Sequence, residues 1–246
     1  MGIYLTADHG AYAERVLVAG DPGRIARLSR TLDRARQVNT NRGLVGYSGL
    51  HSGVPVSVQA SGMGCPSMHM VGWELMDYGA RRIIRVGTCS AFGHGIRNGD
   101  FIVVTAAASA DGTSRTLCQD APYAAVPDLG LTWRLAGAAR TLSDRVHVGP
   151  IVTVDVEPHL SNVSTERWRE CGLVAVEMES AALFVSALRF GARHGTRVEA
   201  ACILTVSDGL DGDPESDQMY LSTEELESRT DVMHRAALSA LADTGA

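Results

Sequence analysis

Chemically capable side chains gather in this sequence where short apolar runs end. The run Val16-Leu17-Val18-Ala19 stops at Gly20-Asp21-Pro22-Gly23-Arg24. A glycine at a strand-to-helix turn lets backbone N–H groups face an anion, and Arg24, one turn in, offers a planar fork suited to phosphate. The plainer reading is that Gly20 only makes the turn. Arg85 sits near the end of Arg82-Ile83-Ile84-Arg85-Val86-Gly87, where a cation among apolar residues needs a partner. That partner is either a bound anion or a core carboxylate. Thr88 adds a hydroxyl beside Gly87. Glu177 and Glu179, in Val176-Glu177-Met178-Glu179-Ser180, bracket the start of a helix that follows a strand. Such carboxylates can accept hydrogen bonds from sugar hydroxyls, or Glu177 can stabilise the helix N-terminus. Asp208 closes an apolar run in Thr205-Val206-Ser207-Asp208-Gly209. Desolvation there would favour its protonated form and suit it to general-acid work, unless it is a turn residue before Gly209.

The elements that must position these groups follow from periodicity and turn residues. The spacing predicts a strand over 15–19, then a helix with Asp21 as N-cap and Pro22 as its first residue. A hairpin is expected over 44–50 and 54–59 around His51-Ser52-Gly53, and a helix over 63–78. A buried strand over 82–87 should end in a small-residue loop, Thr88-Cys89-Ser90-Ala91. Strands are also expected over 101–108, 146–154, 173–176 and 198–206. Helices are expected over 131–142, 165–171, 178–190 and 223–241. Residues 112–130 read as a long loop and 209–216 as a polar one. There is no internal repeat or linker, so one α/β domain over residues 1–246 is expected, with ligands at the strand ends.

Composition narrows the chemistry. The chain has 246 residues, 45% of them hydrophobic, and a net charge of -6; its 22 basic residues are all arginine. Without lysine, pyridoxal-phosphate enzymes, Schiff-base aldolases, Walker A ATPases and protein kinases are excluded or nearly so. Any anionic ligand must be held by arginine, backbone or metal. The negative charge argues against a nucleic-acid binder. No apolar run approaches the ~18 residues of a membrane span, and the first residues do not resemble a signal peptide. The 5 Cys are scattered and the 8 His form no HExxH pattern. Free thiols in a reducing cytoplasm and no bound metal are expected.

Several of these stretches, taken in order, resemble a known family. They are Gly20-Asp21-Pro22-Gly23-Arg24, Asn39-Thr40-Asn41-Arg42-Gly43, Ser61-Gly62-Met63-Gly64, Arg85-Val86-Gly87-Thr88-Cys89, Val176-Glu177-Met178-Glu179 and Val206-Ser207-Asp208. Together they are similar to the nucleoside phosphorylases that include the hexameric bacterial purine enzymes and the uridine phosphorylases. The resemblance implies a three-layer α/β/α sandwich around a mixed sheet partly closed into a barrel. It implies phosphate held by Gly20, Arg24, Arg85 and Thr88, with Arg42 contributed by a neighbouring subunit of a homo-oligomer, at least a dimer and in this branch a hexamer. Met63, Glu177, Met178 and Glu179 would hold the ribose, and Asp208 would protonate N7 of a departing purine. Inorganic phosphate would be the co-substrate, with no cofactor. Breaking the glycosidic bond develops positive charge on the sugar, which a phosphate dianion stabilises and then captures.

The base end and the 5′ end depart from the family pattern. Tyr4 stands where the family has a histidine reaching the ribose 5′-hydroxyl; His9 fits less well by spacing. Cys89 and Ser207 keep their places at the base, but Ser90 replaces a glycine there. Glu157 falls where an aromatic residue stacks on the base, with His159 nearby. Leu226 stands where the last helix carries an arginine that bonds the acid, and Arg229 is one turn further on. The kept Ser207-Asp208 and a missing insertion favour a purine or modified purine over uridine. A hydrolase of the same superfamily and a non-catalytic nucleoside binder are the competing readings; Arg24, Arg42 and Arg85 together argue for phosphate.

Overall fold

A computed structural model describes residues 2–92, 95–160, 164–209 and 220–243. The order is β1 (Arg15–Ala19), α1 (Pro22–Ser29), β2 (Asp33–Asn39), β3 (Gly46–His51), β4 (Val54–Ala60), α2 (Cys65–Asp77), β5 (Arg82–Ala91) and β6 (Phe101–Ser109). Then come α3 (Gly112–Leu117), α4 (Leu129–Leu142), β7 (Val146–Thr153), α5 (Glu166–Glu170), β8 (Ala175–Glu177), α6 (Ser180–His194), β9 (Glu199–Gly209) and α7 (Thr223–Ala242). Among the described residues the strands form one mixed nine-stranded sheet in the order β2-β3-β4-β1-β5-β8-β7-β6-β9. β9 pairs back onto β5, so β5, β8, β7, β6 and β9 close into a barrel. β1, β4 and β5 run parallel to one another, as do β5 and β9, whereas β5–β8 and β6–β9 are antiparallel.

The core lies on both faces of this sheet. Met68, Val71 and Leu75 of α2 and Leu183, Phe184 and Ala187 of α6 pack on one face. Ile25 and Leu28 of α1, Leu131 and Leu135 of α4 and Met233 and Leu238 of α7 pack on the other. The expected α/β/α layering with a partly closed barrel is what the chain forms. No described helix is long and apolar enough to cross a membrane.

The local expectations largely match, with instructive differences. Asp21 caps α1 as expected, accepting from Gly23 N at 2.8 Å and Arg24 N at 3.1 Å. β5 does not stop at Gly87; it continues through Thr88, Cys89, Ser90 and Ala91, which had read as a loop. Pairing decides this, because β9 runs alongside those residues and β8 adds to Ser90 and Ala91. β2 was not expected: it is a charged, largely exposed edge strand without apolar alternation. The stretch 112–130 contains the short helix α3, capped by Asp111. Of the polar loop expected over 209–216, only Gly209 is among the described residues.

Candidate active site

The strand ends open into a cavity of about 850 Å³. Gly20, Arg24, Arg85 and Thr88 line one end of it, and Ser90, Glu157, His159, Ser207 and Asp208 line the other. Between them lie Met63, Glu177, Met178 and Glu179.

At the first end two guanidinium groups converge. Burial holds Arg24 below the ordinary arginine value; Asp21 opposes this and Arg85 adds to it. No ion pair to Arg24 occurs among the described residues, so it is a desolvated cation with spare donors, which suits an anion. The Gly23 and Arg24 amides are taken by Asp21, so α1 does not offer them to a ligand. Gly20 instead provides clearance: a Cβ there would lie 3.2 Å from the Gly62 carbonyl oxygen. Arg85 is a buried cation on β5, and its partner is a core carboxylate, doubled. It meets Glu177 at 3.1 Å and lies in short contact with Glu179. Burial opposes its charge, but Glu179 and Glu177 outweigh that and hold it above its usual value. Gly87, two residues on and therefore on the same strand face, leaves the space the guanidinium occupies. A Cβ at Gly87 would come within 2.7 Å of it.

The two glutamates divide their work. Glu177 accepts from the Ser180 amide at 2.9 Å, the Glu179 amide at 2.9 Å and the Thr153 hydroxyl at 2.5 Å. Together with Arg85 this occupies both its oxygens, so Glu177 caps α6 and anchors Arg85. The direct ribose contact expected of it is corrected accordingly: a carboxylate so engaged has no free lone pair for a hydroxyl. Glu179, at the N-cap position of α6, accepts from the Gly64 amide at 2.6 Å and from Arg85. Gly64 has a φ of +84°, a conformation that L side chains rarely adopt. The loop Ser61-Gly62-Met63-Gly64 thus carries Glu179 on one side and presents Met63, 85% exposed, at the cavity mouth. Cys65 donates to the Met178 carbonyl at 3.2 Å, and burial pushes its thiol up, so it stays protonated. Its sulfur and the Asp111 and Asp155 carboxylates lie within 4.8 Å of one another. Both carboxylates cap α3, accepting from the Ser114 and Gly112 amides.

The end lined by Ser207 and Asp208 depends on a bulge. Cys89 pairs with Val206 and Ser90 with Asp208, so β9 carries Ser207 as an extra residue opposite β5. Strict alternation would send Ser207 and Asp208 to opposite faces; the bulge lets both line the cavity. Asp208 is buried, 3% exposed. Its Oδ1 accepts from the Ser207 hydroxyl at 2.5 Å, and its Oδ2 lies 2.8 Å from His159 Nε2. Ser207 also lies 3.2 Å from the Cys89 carbonyl oxygen. Burial first, then Asp208, pushes the Cys89 thiol well up, so it is neutral. Tyr220 bridges to the Asp208 backbone and sets its ring edge-on to His159 with centroids 5.7 Å apart.

Tyr4 and Arg42 lie outside this cavity but together. The Arg42 guanidinium stands 5.5 Å from the Tyr4 ring centroid, and Asn41 donates to the Tyr4 carbonyl at 3.0 Å. The Ile3, Tyr4 and Leu5 amides all donate to the Glu74 carboxylate of α2. Arg42 is exposed and has a φ of +56°, a strained backbone for a residue with a Cβ.

Comparison with known proteins shows the family. A family model described as "Phosphorylase superfamily" matches residues 14–242. The chain belongs to the phosphorylase superfamily. It is 33% identical over 214 residues to a guanosine phosphorylase of Halorubrum lacusprofundi, covering 86% of this chain and 88% of that protein. It is 36% identical over 214 residues to a DeoD-type purine nucleoside phosphorylase of Geobacillus kaustophilus, covering 85% and 87%. It is 35% identical over 212 residues to one of Alkaliphilus metalliredigens, covering 85% and 88%.

Within this phosphorylase-superfamily fold, α7 gives Asp208 no arginine among the described residues. Arg229 instead donates to the Gly99 carbonyl at 2.7 Å and lies over the Phe101 ring. Leu226 does not line the cavity. Sequence reasoning missed Thr153, Tyr220 and the bond between His159 and Asp208. The sequence offers His159 only as a ring for stacking. The available signal is a histidine two residues after Glu157, in a sequence with Leu226 at the expected arginine's place.

Proposed function

We propose that this chain catalyses phosphorolysis of purine nucleosides, giving free base and (deoxy)ribose 1-phosphate. The observation that carries the reading is one cavity with desolvated arginines at one end and a buried carboxylate at the other. The relatives named as guanosine and purine nucleoside phosphorylases support it. Phosphate, held by Arg24, Arg85 and Thr88 beside Gly20, attacks C1′ of a ribose oriented by Glu179, Met178 and Met63. Asp208 protonates N7, so the base leaves neutral rather than as an anion. Glu157, Cys89 and Ser90 wall the base. Inorganic phosphate is co-substrate and no cofactor takes part.

The active enzyme is a cytoplasmic homo-oligomer with shared sites. Charge supports this. Within one chain, Arg24 and Arg85 stand against Glu177 and Glu179, so their charges cancel before a phosphate dianion arrives. Arg42, exposed beside Tyr4 and away from its own cavity, is the cation a neighbouring subunit would supply. Tyr4 would arrive with it at the ribose 5′ end.

The test is a nucleoside panel incubated with and without inorganic phosphate, identifying the sugar product. Sugar 1-phosphate from a purine nucleoside, formed only with phosphate, is expected. Free sugar formed without phosphate would mean a hydrolase. Binding without cleavage of any nucleoside would mean a ligand-binding protein.

A further inference from the structure

We infer that the proton given to the leaving base belongs to a His159–Asp208 dyad, with His159 holding the proton that makes Asp208 an acid. This rests on the phosphorolysis reading above. Asp208 is one residue from the end of β9, buried, with one oxygen accepting from Ser207 and the other facing His159 Nε2 at 2.8 Å. A carboxylate that must deliver a proton has to be reloaded each turnover, and its neighbours decide how. The Ser207 hydroxyl cannot supply a second proton and remain neutral. The Cys89 thiol, on β5, is neutral and buried. Tyr220 packs its edge on the imidazole, and burial, then Asp208 and Glu157, push its phenol up, so it keeps its proton. Glu157, on the same segment as His159, accepts from the Leu160 amide at 2.9 Å. Among the described residues, His159 is therefore the side chain in contact with Asp208 whose ring nitrogen can both accept a proton and pass it on. It also lines the cavity, so solvent reaches it when the base has left.

The step balances within the dyad. Before reaction, His159 and Asp208 together hold one exchangeable proton, a property of the pair rather than of either residue. As the C1′–N9 bond breaks, its electron pair passes to the base, and N7 takes the dyad proton. A phosphate oxygen forms the new bond to C1′. The dyad is left as neutral imidazole and carboxylate; the hydrogenphosphate, now an ester, gives its proton to solvent, and solvent returns one proton to the dyad. The arginine expected from the last helix could polarise the carboxyl but could not reload it, because a guanidinium does not give up its proton.

The test uses a substrate pair. An N7-methylated purine nucleoside already carries positive charge on the base, which leaves without needing a proton. The value of kcat/KM is measured with inorganic phosphate for guanosine or inosine, whichever is faster, and for its N7-methyl derivative. The readout is the ratio of the two. His159→Phe and His159→Gln should each lower that ratio at least ~tenfold, as should Asp208→Asn. Turnover of the methylated substrate shows in the same experiment that each variant is folded. A ratio unchanged in His159→Phe, with Asp208→Asn lowering it, would overturn the dyad and leave His159 a wall of the base site. A ratio restored by His159→Gln, which can donate a bond but not carry the proton, would also overturn it, reducing His159 to an orienting role. The reading beneath it fails separately: Asp208→Asn would leave the ratio unchanged, or the wild-type protein would show no phosphate-dependent cleavage.

Discussion

At the residue scale, Gly87 shows how a missing side chain sets up a charged one. Arg85 and Gly87 share a face of β5, and the guanidinium crosses the space a Cβ would fill before reaching Glu177 and Glu179. Gly87→Ala should displace Arg85 rather than distort the strand, since the atoms met are the far end of a flexible side chain. A stability loss of about 1–3 kcal/mol is expected, the usual range for an overpacked site. The functional loss should be larger. One charge-assisted bond is worth about 1.5–3 kcal/mol, so KM for phosphate should rise roughly ten- to hundredfold. Steady-state kinetics with phosphate as the varied substrate measures this, and an unchanged KM would remove Arg85 from the phosphate site.

Elements carry effects that no single site residue predicts. α7 is tied to α1 through Arg27, which pairs with Glu227 and Asp231, and brings His234, 3% exposed, close to the charges of Arg24 and Arg27. Burial first, and then those two arginines, lower the His234 pKa from 6.5 to about 3. The unfolded chain therefore binds this proton over a range in which the folded one does not. Stability is full above about pH 6.5 and falls as pH drops through the window toward about 3. His234→Leu should flatten part of that fall. Thermal melts between pH 6.5 and about 4.5, before most carboxylates protonate, isolate the effect. Parallel pH dependence in both proteins would refute it. The bulge on β9 acts at the same scale, because one unpaired residue turns Ser207 and Asp208 together toward the cavity.

At the scale of the whole molecule, Arg42 is exposed and stands outside its own cavity, so the proposal that a second copy uses it can be tested by mixing variants. Arg24→Ala and Arg42→Ala should each be nearly inactive alone. In a mixture of the two, a dimer of one copy each regenerates one intact site. Random reassembly should therefore restore roughly a quarter of the wild-type sites. Activity measured after mixing and re-equilibration checks this, and no recovery would place Arg42 outside a shared site.

Much of this was legible in the order of residues. The turn at Gly20-Asp21-Pro22, the hairpin around Ser52-Gly53 and the amphipathic helices are local, set by periods and caps spanning a few residues. Family membership was readable for the same reason, because its motifs are short stretches in a fixed order. Pairings across the chain were not readable. Arg85 and Glu179 are 94 residues apart, and His159 and Asp208 are 49 apart. Whether a carboxylate meets an arginine, a histidine or water depends on how strands close into a barrel and where a bulge falls, and those are decided by hydrogen bonds between distant segments. The sequence by itself determined the layers, the cavity's arginines and its two kinds of carboxylate. Only the tertiary structure decided that Glu177 is spent on capping α6, that β5 runs on through Ala91, and that Asp208 is partnered by an imidazole.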